Sequence, residues 1–306
     1  MFTQTHQIAG ITFHTQAETT FPFQDAFARF QTDAHLSDVR CHAHTISLDT
    51  SVMFPMLLPQ TWQSSNQART SPLLRSPLVQ HRLLASLNQP EQNRVELRDW
   101  AVTLFDFARR EVALFHTSEH QEFLAQCYVG PSLFAPFLPT FAAMMLHSSA
   151  VVVGQVAALF LAPDEGGKTT VARTAPHDAI LCDDQNVIRK TGNAFVVHST
   201  PWGLHHAGPR SAPLGGMFFL EKAERFELIP LKRTEAMARI WDDHANFHAV
   251  LPKHLRVRAF DLVCDACRAV PTYRLRFPKE QVDWGAIDAA MKMPASNSTV
   301  RIPGVT

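Results

Sequence analysis

The chain is 306 residues long, and its 28 lysine and arginine residues balance 28 aspartates and glutamates to a formal net charge of zero. That balance removes the global electrostatic argument for a nucleic acid or an anionic membrane as partner. With 46% hydrophobic and 18% charged residues, the chain can bury a sizeable core and is not disordered throughout, and its length suits one large or two small domains.

In chain order, the opening Met1-Phe2-Thr3-Gln4-Thr5-His6 has neither the basic nor the apolar region of a signal peptide. Residues 8–13 predict a short strand, and Phe23, Phe27 and Phe30 have helical spacing. Residues 39–48 alternate as a strand does. Residues 51–90 are rich in Pro, Ser, Gln and Asn and read as loop, with helix around 79–87. Residues 94–97, 102–107 and 112–115 predict strands of a meander. Residues 1–130 are therefore expected to form a small α+β domain, a candidate for binding a substrate or partner.

A different grammar begins near Leu133. Residues 133–146 are mostly apolar and predict a helix with Pro136 and Pro139 near its start. Two strands, 149–153 and 156–161, hinge at Gly154-Gln155, and a glycine-containing loop leads to a helical turn or two at 169–173. Further strands are expected at 179–182 (ending in Asp183-Asp184), 187–189, 194–198, 216–220, 225–230 and 273–277, with helices at 233–248 and 257–270. Residues 131–293 thus form a second, α/β domain, and 294–306 a frayed tail. The longest apolar stretch, 149–162, contains Gln155 and falls short of the roughly 20 residues that a spanning helix needs. Five cysteines, at 41, 127, 182, 264 and 267, are an odd number spread over the chain, unlike a disulfide framework. A soluble, reduced, cytoplasmic protein without a membrane segment is the expectation, with self-association left open.

The chemistry is concentrated in Leu159-Phe160-Leu161-Ala162-Pro163-Asp164-Glu165-Gly166-Gly167-Lys168-Thr169-Thr170. A strand feeds a tight loop that ends in Gly-Lys-Thr and opens a helix. Small residues let backbone N–H groups converge on phosphate oxygens, and the helix start adds its positive end. Lys168 would reach the terminal phosphates and the Thr169 hydroxyl would ligate Mg²⁺, with Gly166, Gly167 and Thr170 completing the cradle. Ala162 stands where the strict pattern has its first glycine, which fits only if that residue needs no positive φ. An ordinary loop is the alternative. Fifteen positions after Lys168, a buried strand ends in Asp183-Asp184; adjacent carboxylates there can hold a cation and accept a proton, or simply cap a turn. His147, before the strand at 149–153, can orient such a carboxylate or be a structural imidazole.

Leu146-His147-Ser148-Ser149-Ala150-Val151, the Gly-Lys-Thr loop and Leu181-Cys182-Asp183-Asp184 together resemble the kinase domain of HPr kinase/phosphorylase. More closely they resemble the HPr-kinase-like proteins of peptide-modification gene clusters, including the lasso-peptide kinases. Thr200-Pro201-Trp202, Ala212-Pro213-Leu214, Phe218-Phe219-Leu220 and Val270-Pro271-Thr272-Tyr273-Arg274-Leu275 are similar to later landmarks of that set, so the resemblance covers about residues 140–285. It implies a P-loop kinase fold related to phosphoenolpyruvate carboxykinase, with a mixed, strongly bent sheet. It also implies ATP- and Mg²⁺-dependent transfer of a phosphoryl group to a hydroxyl of a peptide, protein or small metabolite. In that reading Gly167, Lys168 and Thr169 hold phosphates and Mg²⁺, Asp183 and Asp184 supply the metal ligand and general base, and His147 supports the base. The chain departs from the set at Ala162, at Asp164-Glu165 in place of a small pair, and at Gly203-Leu204-His205-His206 where relatives often carry Gly-Glu. A binding or assembly subunit without turnover is the alternative.

Arg210 is a candidate contact for a substrate phosphate or carboxylate, a solvated surface arginine being the other reading. Trp202 can wall a groove or pack in the core. Cys264 and Cys267 form a single C-x-x-C in a helical stretch, which lacks the second half of a zinc site and reads as packing. His198 with His205 and His206 is a weak metal pattern, because neighbouring residues on a strand face opposite ways.

Overall fold

The computed structural model describes residues 1–17, 25–34, 36–46, 72–89, 92–97, 101–117, 129–203, 208, 210–245, 248–278 and 281–293. The chain divides into two compact units, Met1–Phe137 with Ala249–Leu255 and Leu138–His248 with Arg256–Thr306. Each is built on a mixed β-sheet with helices, an α/β construction.

The first unit contains β1 (Phe2–Ile8), β2 (Ile11–Ala17), β3 (Val39–Ile46), β4 (Asn93–Leu97), β5 (Ala101–Asp106) and β6 (Glu111–Thr117) in the order β1-β2-β3-β6-β5-β4. The single strand expected at 8–13 is a hairpin instead. Ala9 (φ 54°) and Gly10 (φ 71°) separate β1 from β2, and two positive φ values are what a two-residue hairpin loop requires. The expected meander is present, with β4, β5 and β6 as antiparallel neighbours. Helix α1 (Pro77–Leu87) lays Val79 and Leu83, beside Leu73 and Leu74, onto Val102, Leu104 and Phe115. Phe27 and Phe30 are buried in a 3-10 turn, Asp25–Phe30, rather than an α-helix. Phe23 and residues 47–71 lie outside the described residues.

The second unit carries β7 (Ala143–Val153), β8 (Val156–Leu161), β9 (Ile180–Cys182), β10 (Gln185–Thr191), β11 (Ala194–Ser199), β12 (Ser211–Lys222), β13 (Glu227–Pro230) and β14 (Thr272–Phe277). Their order is β11-β10-β7-β8-β12-β14-β13, with β9 on β7; β11 also pairs with β12, so the pairing closes on itself. Two long strands make that closure. β7 pairs with β10 as far as His147 and with β8 from Ser148, while β12 pairs with β11 at Ala212 and Pro213 and with β8 from Leu214. Of the parallel neighbours β8, β12 and β14, β8 is apolar throughout, as a strand buried on both faces must be, while β14 carries Arg274 and Arg276 between its buried residues. Phe160, Phe218 and Leu275 sit in a core completed by Val171 and Ala172 of α3 (Lys168–Arg173) and by Ile287 and Ala290 of α6 (Trp284–Met291). Burying a side chain the size of phenylalanine contributes about 1.5–3 kcal/mol.

Three sequence expectations are corrected here. Residues 133–146 are not one helix: α2 (Val129–Phe134) passes into a 3-10 turn (Ala135–Phe141), and from Ala143 the chain is β7. Pro136 and Pro139 lack the donors that a helix needs, and Ala143–Leu146 find partners on β10 instead. The helix expected at 233–248 is α4 (Arg233–Arg239) followed by a π-helical turn, Ile240–His244. The helix expected from 257 is α5 (Lys253–Ala269). Helix α6 went unread, although Asp283 signals it by accepting the Ala286 N–H at 2.9 Å as N-cap. Among the described residues no helix is long and apolar enough to cross a membrane; the tail from Pro294 lies outside them.

Candidate active site

Three parallel strands end side by side: Phe219 of β12 faces Leu161 of β8, and Lys222 of β12 faces Phe277 of β14. Open α/β sheets bind ligands outside such carboxyl ends. A cavity of about 790 Å³ lies there, lined among others by His147, Lys168, Thr169, Asp184, Lys222 and Phe277.

The loop after β8 is shaped by close approaches. Gly166 N–H donates to Pro163 O at 3.0 Å, and the positive φ values fall at Glu165 (60°) and Gly167 (101°). Ala162 does not take a positive φ, so alanine fits in place of the pattern's first glycine. A Cβ on Gly166 would come within 2.5 Å of Ala162 Cβ, and one on Gly167 within 2.9 Å of Phe277 Cζ. Both positions therefore demand glycine. Lys168 opens α3 at only 6% exposure. Its Nζ donates to Ala162 O and Pro163 O, both at 2.9 Å. Burial lowers the pKa of this ammonium, against the opposing pull of the Asp164 and Asp184 carboxylates. Thr169 and Thr170 line the same cavity.

Facing the loop is an imidazole–carboxylate pair. His147 Nε2 lies 3.0 Å from Asp184 Oδ1 and 3.4 Å from Asp164 Oδ1. The strands hold this pair in place: Ser148 N–H donates to Asp184 O at 2.9 Å, and Asn186 Nδ2 donates to Ser148 O at 2.6 Å. The Ser149 hydroxyl donates to Lys168 O at 3.1 Å, tying β7 to the start of α3.

The structure thus gathers His147, Gly167, Lys168, Thr169, Thr170 and Asp184 on one cavity wall, with Gly166 as the close-packed turn behind them. Asp183 is not on that wall. It is 2% exposed, and a Cβ on Gly203 would lie 2.7 Å from its Oδ1 and 2.7 Å from Cys182 Sγ. The Cys182 thiol donates to Trp202 O at 3.5 Å, and burial raises its pKa. Arg210 is exposed and off the cavity wall; its carbonyl accepts the Ser199 N–H at 2.9 Å. His205 and His206 lie outside the described residues. Cys264 and Cys267 are buried on α5 with thiol pKa values raised by burial, that of Cys267 to about 12, the behaviour of packing residues rather than reactive thiols. Sequence reasoning missed Lys222, Glu224 and Phe277, which the parallel-strand rule would have found, since each lies at or just beyond a strand's carboxyl end.

The family model described as SynChlorMet cassette protein ScmC matches residues 138–292, just over half of the chain. The chain belongs to this family. Comparison with curated proteins gives no match. The ScmC interval begins with the first residue of the second unit and takes in the whole cavity lining, from His147 to Phe277. The name ScmC specifies a cassette and no reaction, so the chemistry rests on this chain's own residues.

Proposed function

We propose that this protein is a P-loop phosphotransferase of the HPr kinase type, moving the γ-phosphate of ATP to a hydroxyl of a peptide, protein or small metabolite in the cytoplasm. The observation that carries this reading is the convergence of Lys168, Thr169 and Thr170 with the His147–Asp184 pair in one cavity. The mixed sheet with its parallel β8-β12-β14 centre supports this reading. Gly167, Lys168 and Thr169 bind the phosphates. Asp184 takes the proton of the acceptor hydroxyl as its oxygen bonds to the γ-phosphorus and the bond to the bridging oxygen breaks, releasing ADP. His147 orients that carboxylate. Arg210 is the candidate contact for an anionic group of the acceptor.

The donor set suits magnesium. The Thr169 hydroxyl and the nearby carboxylates are hard oxygen donors, of which Mg²⁺ takes few because it keeps waters and substrate phosphates as its other ligands. Among the described residues no three His, Cys, Asp or Glu side chains converge as a metal site of their own. Bound with ATP, Mg²⁺ supplies neutralisation of phosphate charge. The cavity favours that partnership, since Asp164, Glu165, Asp184 and Glu224 outnumber Lys168 and Lys222 on its wall, and a bare polyphosphate would be repelled. Asp183, buried off that wall, takes no part as a ligand in this reading.

The deciding experiment is the melting temperature with and without Mg²⁺–ATP, in the wild type and in Lys168→Ala. A ligand that binds only the folded state must raise it, by about 2.7 kcal/mol of stability at 100 times Kd. A rise confined to the wild type supports the proposal, and no rise in either overturns it. One observation favours a second reading: Asp164 and Glu165 stand in the loop beside the phosphate position. On that reading the fold binds nucleotide without turnover, and the wild type shows the thermal rise but no phosphate transfer or release.

A further inference from the structure

The first unit holds a cavity of its own. Arg40, His42 and His44 alternate along β3 and so share one face of the sheet. The register sets them beside Glu111, Ala113 and Phe115 of β6, and sets Glu111 opposite Asp106 and Ala113 opposite Leu104 of β5. Helix α1 covers only part of that face, where Val79 and Leu83 meet Val102, Leu104 and Phe115. Beside it lies a cavity of about 470 Å³, whose walls include Arg82 and Ser86, one turn apart on α1, with His42, His44, Asp106 and Leu104.

The charges of this cleft do not cancel evenly. Asp106 and Glu111 face each other across an antiparallel pair, where like charges repel. Arginines other than Arg82 answer both. Arg40 pairs with Glu111 at 2.6 Å. The Arg109 N–H donates to Asp106 Oδ1 at 2.9 Å, and its guanidinium stands 3.9 Å from Oδ2. Arg82 is exposed and enters neither pair. Burial lowers the pKa of His42; Glu111 opposes that shift, and His44, Arg40 and Arg82 reinforce it. At pH 7 His42 is therefore neutral and has one N–H to donate, which leaves the Arg82 guanidinium as the charge in want of a partner. A single planar cation suits a single planar anion, and a guanidinium matches a carboxylate with two parallel N–H donors. Leu104 and Ala113, neighbours across β5 and β6 on the same wall, offer an apolar floor.

We propose that this cleft is a second binding site, for a monocarboxylate with an apolar body, its carboxylate on Arg82 and its apolar part over Leu104 and Ala113. The site does not depend on the phosphotransfer reading.

Two acids probe it by calorimetric titration of the full chain at constant ionic strength: N-acetylleucine, which ends as a peptide does, and hexanoate, a plain aliphatic acid. Saturable binding of at least one is expected. Loss of the negative charge, in N-acetylleucinamide, or of the guanidinium, in Arg82→Ala, should weaken it on the order of 10- to 100-fold, the scale of one charge-assisted hydrogen bond. Alanine is the best helix former, so Arg82→Ala on the exposed side of α1 keeps its fold. Lys168→Ala should bind the acids as the wild type does, and Arg82→Ala should keep whatever Mg²⁺–ATP thermal rise the wild type shows. A preference for N-acetylleucine points to a peptide terminus and a preference for hexanoate to a free small acid; either supports the site. An amide that binds as well as its acid, an Arg82→Ala protein with undiminished affinity, or no saturation by either acid overturns it. So does binding lost in Lys168→Ala instead, which would move the acid to the cavity of the second unit.

Discussion

The two units use one building scheme to different ends. Both are mixed sheets with a phenylalanine-rich core, yet they place their polar side chains differently. In the first unit His14, Arg40, His42 and His44 lie along strands β2 and β3, and the contacts run between neighbouring strands: Thr5 with His14 across a hairpin at 2.9 Å, Arg40 with Glu111 across a strand pair at 2.6 Å. In the second unit the polar side chains reach beyond the strands, from His147 to Asp184 past the end of β9 and from Ser149 to Lys168 at the start of α3. Polar groups along the first sheet also line a cavity, a smaller one of about 470 Å³ that includes His42, His44 and Glu111. Those collected at the ends of the parallel strands line the larger one, of about 790 Å³, where a lysine, a threonine and an imidazole–carboxylate pair meet.

The strongest blow to this comparison would come from Asp184→Asn, which should lower turnover by about 10²–10⁴-fold while leaving the nucleotide thermal rise intact; retained turnover would remove the base from the second unit. Next in size, Gly203→Ala should cost about 1–3 kcal/mol, because its methyl would fall 2.7 Å from both Asp183 Oδ1 and Cys182 Sγ. Denaturant melts checking it should show Gly192→Ala, with nothing within 4 Å of its Cβ, losing only the roughly 1 kcal/mol of a positive φ.

Acid should act on both units alike. His6 in the first and His244 in the second have pKa values lowered by burial to about 4. Above pH 6.5 neither native nor unfolded imidazole is charged; below it the unfolded chain takes protons that the native state refuses. Stability is therefore full above pH 6.5 and falls toward pH 4, by up to about 1.4 kcal/mol per pH unit for each ring. A melting temperature that stays flat between pH 7 and pH 4.5 would contradict this. The smallest expected effect sharpens the comparison by its smallness: His42→Ala on the first sheet should leave the Mg²⁺–ATP thermal rise unchanged, and a lost rise would mean that the first unit shares the site.

Much of the site was legible because its residues announce themselves locally. Gly-Lys-Thr after an apolar strand, a strand ending in two aspartates and a histidine ahead of the next strand are short patterns, and the structure gathers Lys168, Thr169, Asp184 and His147 around one volume. Which of the two aspartates faces that volume was not legible. Adjacent residues leaving a strand diverge, and only the fit of Gly203 against Asp183 shows which one turned inward. Lys222 and Phe277 meet through parallel pairing over 55 positions, a register no local pattern carries. Among the elements, 133–146 misled because apolar composition alone does not separate helix from buried strand, and Ala9-Gly10 because a two-residue turn hides inside an apolar run.

The self-closing pairing of the second sheet has a consequence for how this protein meets others of its kind. Strand borders are templates on which foreign chains can add and aggregate. Here β11 is bonded on one side by β10 and on the other by β12, so that border is consumed internally. The end of the order that stays open, β13, is four residues long, finishes in Pro230 and carries Glu227 paired with Arg276 at 2.9 Å. Shortness, a proline and a charge are the features that blunt such a border, so this sheet offers little purchase to a stray strand.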